Sequence, residues 1–311
     1  MKKTLIIHPE ECTKKWVNRA KAAGCTTLAL HPVGGKKACE SLKVLLELCN
    51  EKSFKDLVDY AKSAGLEIEY QMHAARYLLP EALFSKHPEW FRMNENGERT
   101  PDLNFCVSNS DALDFVAENA VTLAKSLYGS THKFYFWMDD AKSGRCLCEQ
   151  CRNRSTSDQQ MIVINAMIKR LQREIPDAQL SYLAYFDAMP LPQQERPVDG
   201  IFLEYAPFER DFTKGAVCMA EDEQRQIKKL LHYFGTTHSV VLEYWYDNSM
   251  YSNWKKPPKK FSPDNQMIQQ DLLFYQQFGF DTIASFACYL GEDYEKLYGE
   301  PDVSAFNNDK I

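Results

Sequence analysis

The stretch Lys133-Phe-Tyr-Phe-Trp-Met-Asp-Asp-Ala141 decides how this chain is read, together with the Cys146-Leu-Cys148-Glu-Gln-Cys151 that follows it. An apolar, aromatic run this short, bounded by polar residues, reads as a buried strand rather than a helix. It stops on two adjacent carboxylates, Asp139 and Asp140. A buried strand that ends on acids delivers them to a rim, where such groups bind polar ligands or do chemistry. Three thiols within six positions are more than a core needs.

Working outward, seven further runs have the same character: Thr4–Ile7, Thr27–Leu30, Leu66–Met72, Leu180–Tyr185, Gly200–Tyr205, Val240–Trp245 and Thr282–Tyr289. The run around the opening stretch is Phe134–Met138. Between the runs lie helix-like segments at Glu11–Ala23, Phe54–Ala64, Ala112–Tyr128, Asp158–Glu174, Glu221–Phe234 and Asp264–Phe278. Ser53, Asp111 and Ser157 stand where N-caps belong, and Gly24, Gly65, Gly129, Gly235 and Gly279 stand where helices end. Eight strands alternating with helices require a parallel sheet covered on both faces. In 311 residues the economical closure is a single (β/α)8 barrel spanning 1–311. A doubly wound open sheet is the second solution, but no Gly-x-Gly-x-x-Gly turn follows the first strand.

Active sites of such barrels sit at the C-terminal ends of the strands. Those ends are His8, His31, His73 with Arg76, Asp139-Asp140, Tyr185 with Asp187, Glu204-Tyr205, Glu243-Tyr-Trp245 with Asp247, and Tyr289 with Glu292. Four consecutive strands thus bring acids to one rim, which predicts a polar ligand pocket. Net charge is −6, with 37 Lys and Arg against 43 Asp and Glu and no basic block. Nucleic-acid binding, which rests on clustered cations, is therefore disfavoured. No run approaches the ~20 apolar residues that cross a bilayer. The start Met1-Lys-Lys-Thr-Leu-Ile-Ile-His8 is too short in its apolar part for a leader. Ten cysteines without a leader point to a reducing, cytoplasmic compartment; a leader cleaved from the chain would mean export instead. No organic cofactor is implied, and oligomeric state is not legible.

From about 77 to 109 the chain has little periodicity, and a loop of that length is usually functional. Its His87-Pro-Glu-Trp90-Phe91 reads as packing over the barrel mouth, and Arg99 and Asn104 as ligand contacts. A second loop, about 141–157, carries the thiols.

His87-Pro-Glu-Trp-Phe91, Gly97-Glu-Arg99, Asn104-Phe-Cys106-Val-Ser-Asn109 and Cys146-x-Cys148-x-x-Cys151 together resemble the glycosidase-like barrel family known as domain of unknown function 4838. That family is distantly similar to α-glucuronidases and β-N-acetylhexosaminidases. The resemblance covers roughly the middle half of the chain; the N-terminal α/β domain and export signal common in such relatives are not seen in it. It implies a glycoside hydrolase acting on a carbohydrate. It also implies that Cys106 joins Cys146, Cys148 and Cys151 as the fourth ligand of a structural zinc, which takes four ligands in tetrahedral geometry. A disulfide, or free buried thiols, are the other readings.

Glycoside hydrolysis needs two carboxyl groups flanking the bond, one of them a proton donor. An adjacent acid pair after an aromatic strand resembles the O-GlcNAc hydrolases and related β-N-acetylhexosaminidases. That likeness implies Asp139 as the residue orienting the substrate acetamide and Asp140 as the general acid. The alternative pairs Asp140 with Glu243 or Glu204 across the barrel, with Tyr205 and Trp245 stacking on a sugar ring. His73, Tyr185 and Tyr289 complete the expected substrate contacts. A catalytically inactive carbohydrate-binding barrel stays open. So does a metal-dependent sugar isomerase using Glu204, Glu243 and His73.

Overall fold

The computed structural model of the protein describes residues 1–307. Its eight strands are β1 (Lys2–Ile7), β2 (Thr27–Leu30), β3 (Glu67–His73), β4 (Lys133–Trp137), β5 (Gln179–Ala184), β6 (Ile201–Tyr205), β7 (Val240–Glu243) and β8 (Thr282–Phe286). All neighbouring pairs are parallel, and β8 pairs back onto β1 to close the barrel in chain order. The (β/α)8 expectation is met.

The six expected helices are present, and the helix Ala38–Leu48 joins them. Its apolar stripe (Ala38, Leu42, Leu45) is buried, and Asn50 separates it from the helix that contains Phe54. The N-caps fall two residues earlier than expected, on Asn109, Ser155 and Glu51 instead of Asp111, Ser157 and Ser53. Asn109 Oδ1 accepts from Ala112 N at 2.9 Å and Ser155 Oγ from Asp158 N at 3.0 Å, so in these two helices the side chain that reaches the third following amide is the start; Glu51 makes no such bond. The eighth strand stops at Phe286, short of Tyr289.

Side chains along a strand alternate faces, and two apolar layers result. Leu5, Leu28, Phe134, Leu180, Leu203 and Val241 face the helices. Ile6, Ala29, Tyr135, Trp137, Phe202, Leu242, Tyr244 and Phe286 fill the barrel. The same alternation puts Glu69, Gln71, Ser181 and Glu204, all fully buried polar residues, inside it.

The segment between β3 and the helix Ser110–Ser126 folds as a helical turn (Ala75–Leu78), two single-turn helices (Glu81–Leu83, Pro88–Trp90) and a bridge between Met93 and Arg99. Phe91 is buried, the His87 and Trp90 rings stack at 4.2 Å, and Trp90 O accepts from Cys106 N at 2.8 Å. The His-Pro-Glu-Trp-Phe motif is therefore a packing element that holds the loop down.

Candidate active site

A cavity of about 480 Å³ opens at the C-terminal rim, within the size range of small-molecule sites. Trp137, Leu183, Leu242 and Phe286 form its floor, continuing the barrel interior. Its walls carry His8, His31, His73, Asp140, Tyr185, Tyr244, Asp247, Trp254 and Tyr289. The result is an aromatic box with polar groups at its edges, a surface that suits sugar rings.

Two of its wall residues are carboxylates. Asp140, just past β4, is exposed at the mouth and accepts a hydrogen bond from Tyr185 Oη at 3.0 Å. Asp247, past β7, is 9% exposed. Its Oδ1 accepts from Ser249 N at 3.0 Å, Met250 N at 3.3 Å and Ser249 Oγ at 2.5 Å. Burial raises the Asp247 pKa, opposed by those donors. Its oxygen Oδ1 caps the short helix Asn248–Tyr251, so one carboxylate both orders the wall and faces the cavity.

Asp139 and Asp140 diverge. Asp139 Oδ2 accepts from Asn104 N at 2.6 Å, and Asn104 Oδ1 accepts in return from Asp139 N at 2.8 Å. Asn104 holds φ at 41°, a left-handed conformation that asparagine tolerates. Arg76 lies 3.7 Å from the same carboxylate oxygen, and burial raises the Asp139 pKa. The pair is a clasp between the long loop and the end of β4. It borders a smaller cavity of about 40 Å³, which His73 and Tyr185 share with the large one.

Four more expected site residues, from the ends of β6 and β7, lie away from the cavity, which corrects the expectation. Glu243 points out of the barrel and is fully buried beneath the helix Asn265–Gln276. Arg210 Nη2 donates to its Oε2 at 2.9 Å and Tyr275 Oη to its Oε1 at 2.6 Å. Trp245 shares that outward face, donating from Nε1 to Asp271 Oδ2 at 3.0 Å, and Tyr205 packs outward on Phe280. Glu204 points inward but is sealed under the floor, where its Oε2 accepts from Trp137 Nε1 at 2.7 Å. Burial, first among its causes, pushes its pKa up to about 8. Its Oε1, both amide atoms of Gln71 and Ser181 Oγ are buried without a hydrogen-bond partner. Glu204, Glu243 and His73 do not converge, which removes the geometry a metal-dependent isomerase would need.

His73, Tyr185 and Tyr289 do line the cavity, whereas Arg99 lies at the thiol cluster and Asn104 serves the clasp. The sequence places His8, His31, Tyr244 and Asp247 at the rim without marking them as substrate contacts, and it does not single out Trp137 or Trp254. The signal for two of them was present: His8 and His31 each end an apolar run and precede a proline.

The thiols of Cys106, Cys146, Cys148 and Cys151 are all buried, and their sulfurs lie within 4.8 Å of one another. Cys106 Sγ is 3.7 Å from Cys148 Sγ and 3.9 Å from Cys151 Sγ. Four thiolates at ~2.3 Å from one tetrahedral ion stand ~3.8 Å apart, so the group fits a metal ion. All ten cysteines are free. Met93 N donates to Cys146 Sγ at 3.4 Å, and Ser108 Oγ lies 3.2 Å from Cys106 Sγ, contacts that suit charged sulfur. The cluster ties the long loop to the loop after β4, outside the cavity.

Residues 45–297 match the family described as a domain of unknown function (DUF4838). The chain belongs to that family. No curated protein sequence matches it. Among solved structures, a β-galactosidase from Rahnella sp. R3 superposes with a TM-score of 0.57 at 14% identity, covering 92% of this chain and 50% of that one. A GH5-4 broad specificity endoglucanase from an uncultured bacterium gives 0.53 at 12% identity, covering 96% and 84%. The β-galactosidase of the haloarchaeon Halorubrum lacusprofundi gives 0.53 at 13% identity, covering 99% and 57%. The DUF4838 chain thus spans about half the length of the first of these, and the likeness is one of fold.

Proposed function

We propose that this DUF4838 barrel is a glycoside hydrolase whose cavity holds the terminal sugar of a carbohydrate chain, with Asp140 as the proton donor. The observation that carries this reading is the placement of Asp140, held by Tyr185 on the wall of an aromatic-lined cavity at the end of β4. The structural neighbours named as β-galactosidases and an endoglucanase support a sugar-processing role. Asp140 sits at the open mouth, where a leaving group departs into solvent. Asp247, from the end of β7, is the second carboxylate on the same cavity and takes the place expected for Glu243 or Glu204. Burial raises its pKa, and the donors Ser249 N, Ser249 Oγ and Met250 N work against that rise, toward the ionised form that a nucleophile or base requires. The walls at Gly34–Lys37 and Ser249–Trp254 favour a chain end over mid-chain binding. Substrate assistance with Asp139 as acetamide orienter has less support, because Asp139 Oδ2 is engaged by Asn104.

The thiol cluster fits zinc best, as a structural ion outside the cavity; this chain's residues there position loops and take no part in proton transfer.

A panel of aryl glycosides (galactoside, glucoside, glucuronide and N-acetylglucosaminide, each in both anomers) tests the reading on wild type, Asp140→Asn, Asp247→Asn and Glu243→Gln. Loss of the proton donor should lower kcat/KM by about 10²–10⁴-fold, most strongly with poor leaving groups. Turnover unchanged in Asp140→Asn and Asp247→Asn would remove the assignment. Binding without turnover in wild type would leave a carbohydrate-binding barrel.

A further inference from the structure

His8, His31 and His73 end three consecutive strands and line one wall of the cavity. Their rings follow one another at centroid separations of 6.1 Å and 6.2 Å. Each Nδ1 lies against a backbone carbonyl: His8 against His31 O at 2.7 Å, His31 against Gln71 O at 2.8 Å, and His73 against Met138 O at 2.6 Å. A carbonyl oxygen only accepts, so each Nδ1 carries the proton, and in the neutral ring Nε2 is left as an acceptor. Among the described residues no Nε2 of the three is hydrogen-bonded to protein, and none is sealed off, so all three open on the cavity.

We propose that these three Nε2 lone pairs form a hydroxyl-reading wall, each accepting a hydrogen bond from a hydroxyl of a neutral pyranose bound in the cavity. The proposal rests on the carbohydrate reading of this site and names the chemistry that reads the sugar. Acceptors in a row select for donors. A carboxylate set against that wall would meet three lone pairs and no donor, whereas hydroxyls would satisfy them; Lys36 and Lys37 line the cavity beyond Gly34. A shared metal ion does not explain the row: among the described residues, only the thiol cluster brings three or more metal-donor side chains together. Burial lowers the His31 pKa, which keeps its ring neutral.

Gly34 completes the wall. A Cβ there would lie 3.1 Å from His73 Cδ2, 3.7 Å from His73 Nε2 and 3.8 Å from His31 Nε2, so its backbone is pressed against the reading edge. Gly34→Ala would crowd that edge without removing an imidazole.

Long-range ¹H–¹⁵N NMR on the intact protein reads the tautomers directly. The probes are methyl glucoside, galactoside and N-acetylglucosaminide in both anomers, with methyl glucuronide as the anionic counterpart. The expected result is Nδ1–H in all three free rings and movement of the Nε2 shifts when a neutral glycoside saturates the site. His31→Phe should weaken that glycoside about tenfold, the scale of one lost hydrogen bond. Gly34→Ala should weaken it with an unchanged melting temperature, which covers the case in which His31→Phe fails to fold. Nε2–H tautomers, saturation with unmoved Nε2 shifts, preference for the glucuronide, or no binding by any probe would each overturn the proposal. Hydrolysis with unmoved Nε2 shifts would remove the wall alone, and Nε2 shifts without hydrolysis would remove the enzyme alone.

Discussion

Glu204 shows how far a single carboxyl's surroundings outweigh its place in the sequence. It ends an apolar strand and precedes a tyrosine, the same local pattern as Glu243, yet one points into the barrel and the other out. Both β6 and β7 are buried on both faces, so neither shows the polar alternation that would reveal its phase. Glu204 now serves as the acceptor that fixes Trp137, the cavity floor. With a pKa pushed up to about 8 from 4.5, it stays protonated in the folded state where the unfolded chain has already ionised. Its contribution is complete below pH 4.5 and is lost as pH rises through about 8. Glu11, raised to about 7, acts in the same direction, so the comparison must isolate Glu204. Denaturant unfolding at pH 5 and pH 9 should show wild type losing stability, by on the order of a few kcal/mol, with Glu204→Gln losing markedly less. Equal losses in the two proteins would mean that Glu204 is ionised in the fold.

At the scale of elements, the outward face of β7 and the helix Asn265–Gln276 are joined by charge as well as by apolar packing. Arg210, from the loop after β6, lies 2.9 Å from Glu243 Oε2 and 3.5 Å from Asp271 Oδ2, and both carboxylates are fully buried. Removing one partner of such a group leaves an uncompensated buried charge, which costs about 3–5 kcal/mol. Arg210→Ala should therefore lower the unfolding free energy by about that amount. The isosteric Glu243→Gln should lower it less, with no change in glycoside affinity at sub-denaturing temperature. A loss of affinity with stability intact would return Glu243 to the site. His73, Tyr185 and Tyr289 were legible as rim residues because each follows or closes an apolar run, although β8 itself stops three residues before Tyr289. Arg99 and Asn104 were legible only as important polar residues in a long loop. Which partner each would take depends on how two loops fold onto each other, and no periodicity encodes that.

The whole molecule is a closed barrel with a separately braced cap. Closure was legible because eight apolar runs alternating with helical periods admit few topologies. The cap was legible as a resemblance, through the thiols and the Asn104-Phe-Cys106 stretch, but its mechanics were not. Cys106 lies two residues beyond Asn104, so an ion held by Cys106, Cys146, Cys148 and Cys151 would also steady the Asn104–Asp139 clasp and, next to it, Asp140. The barrel's hydrogen-bond ladders and both apolar layers lie outside this link. Metal loss should therefore loosen the cap before it unfolds the barrel. Elemental analysis should find about one zinc per chain, the stoichiometry of a closed four-thiolate site. Stripping it at neutral pH should open protease cleavage within 86–109 and 141–154 while the far-ultraviolet dichroism of the barrel stays constant. Cys148→Ser should reproduce that cleavage pattern without a chelator. Purified protein that lacks zinc, takes none up, and resists proteolysis equally with and without chelator would make the cluster a packed group of thiols, with the cap held by the Arg92–Asp102 pair and the Asn104 clasp alone.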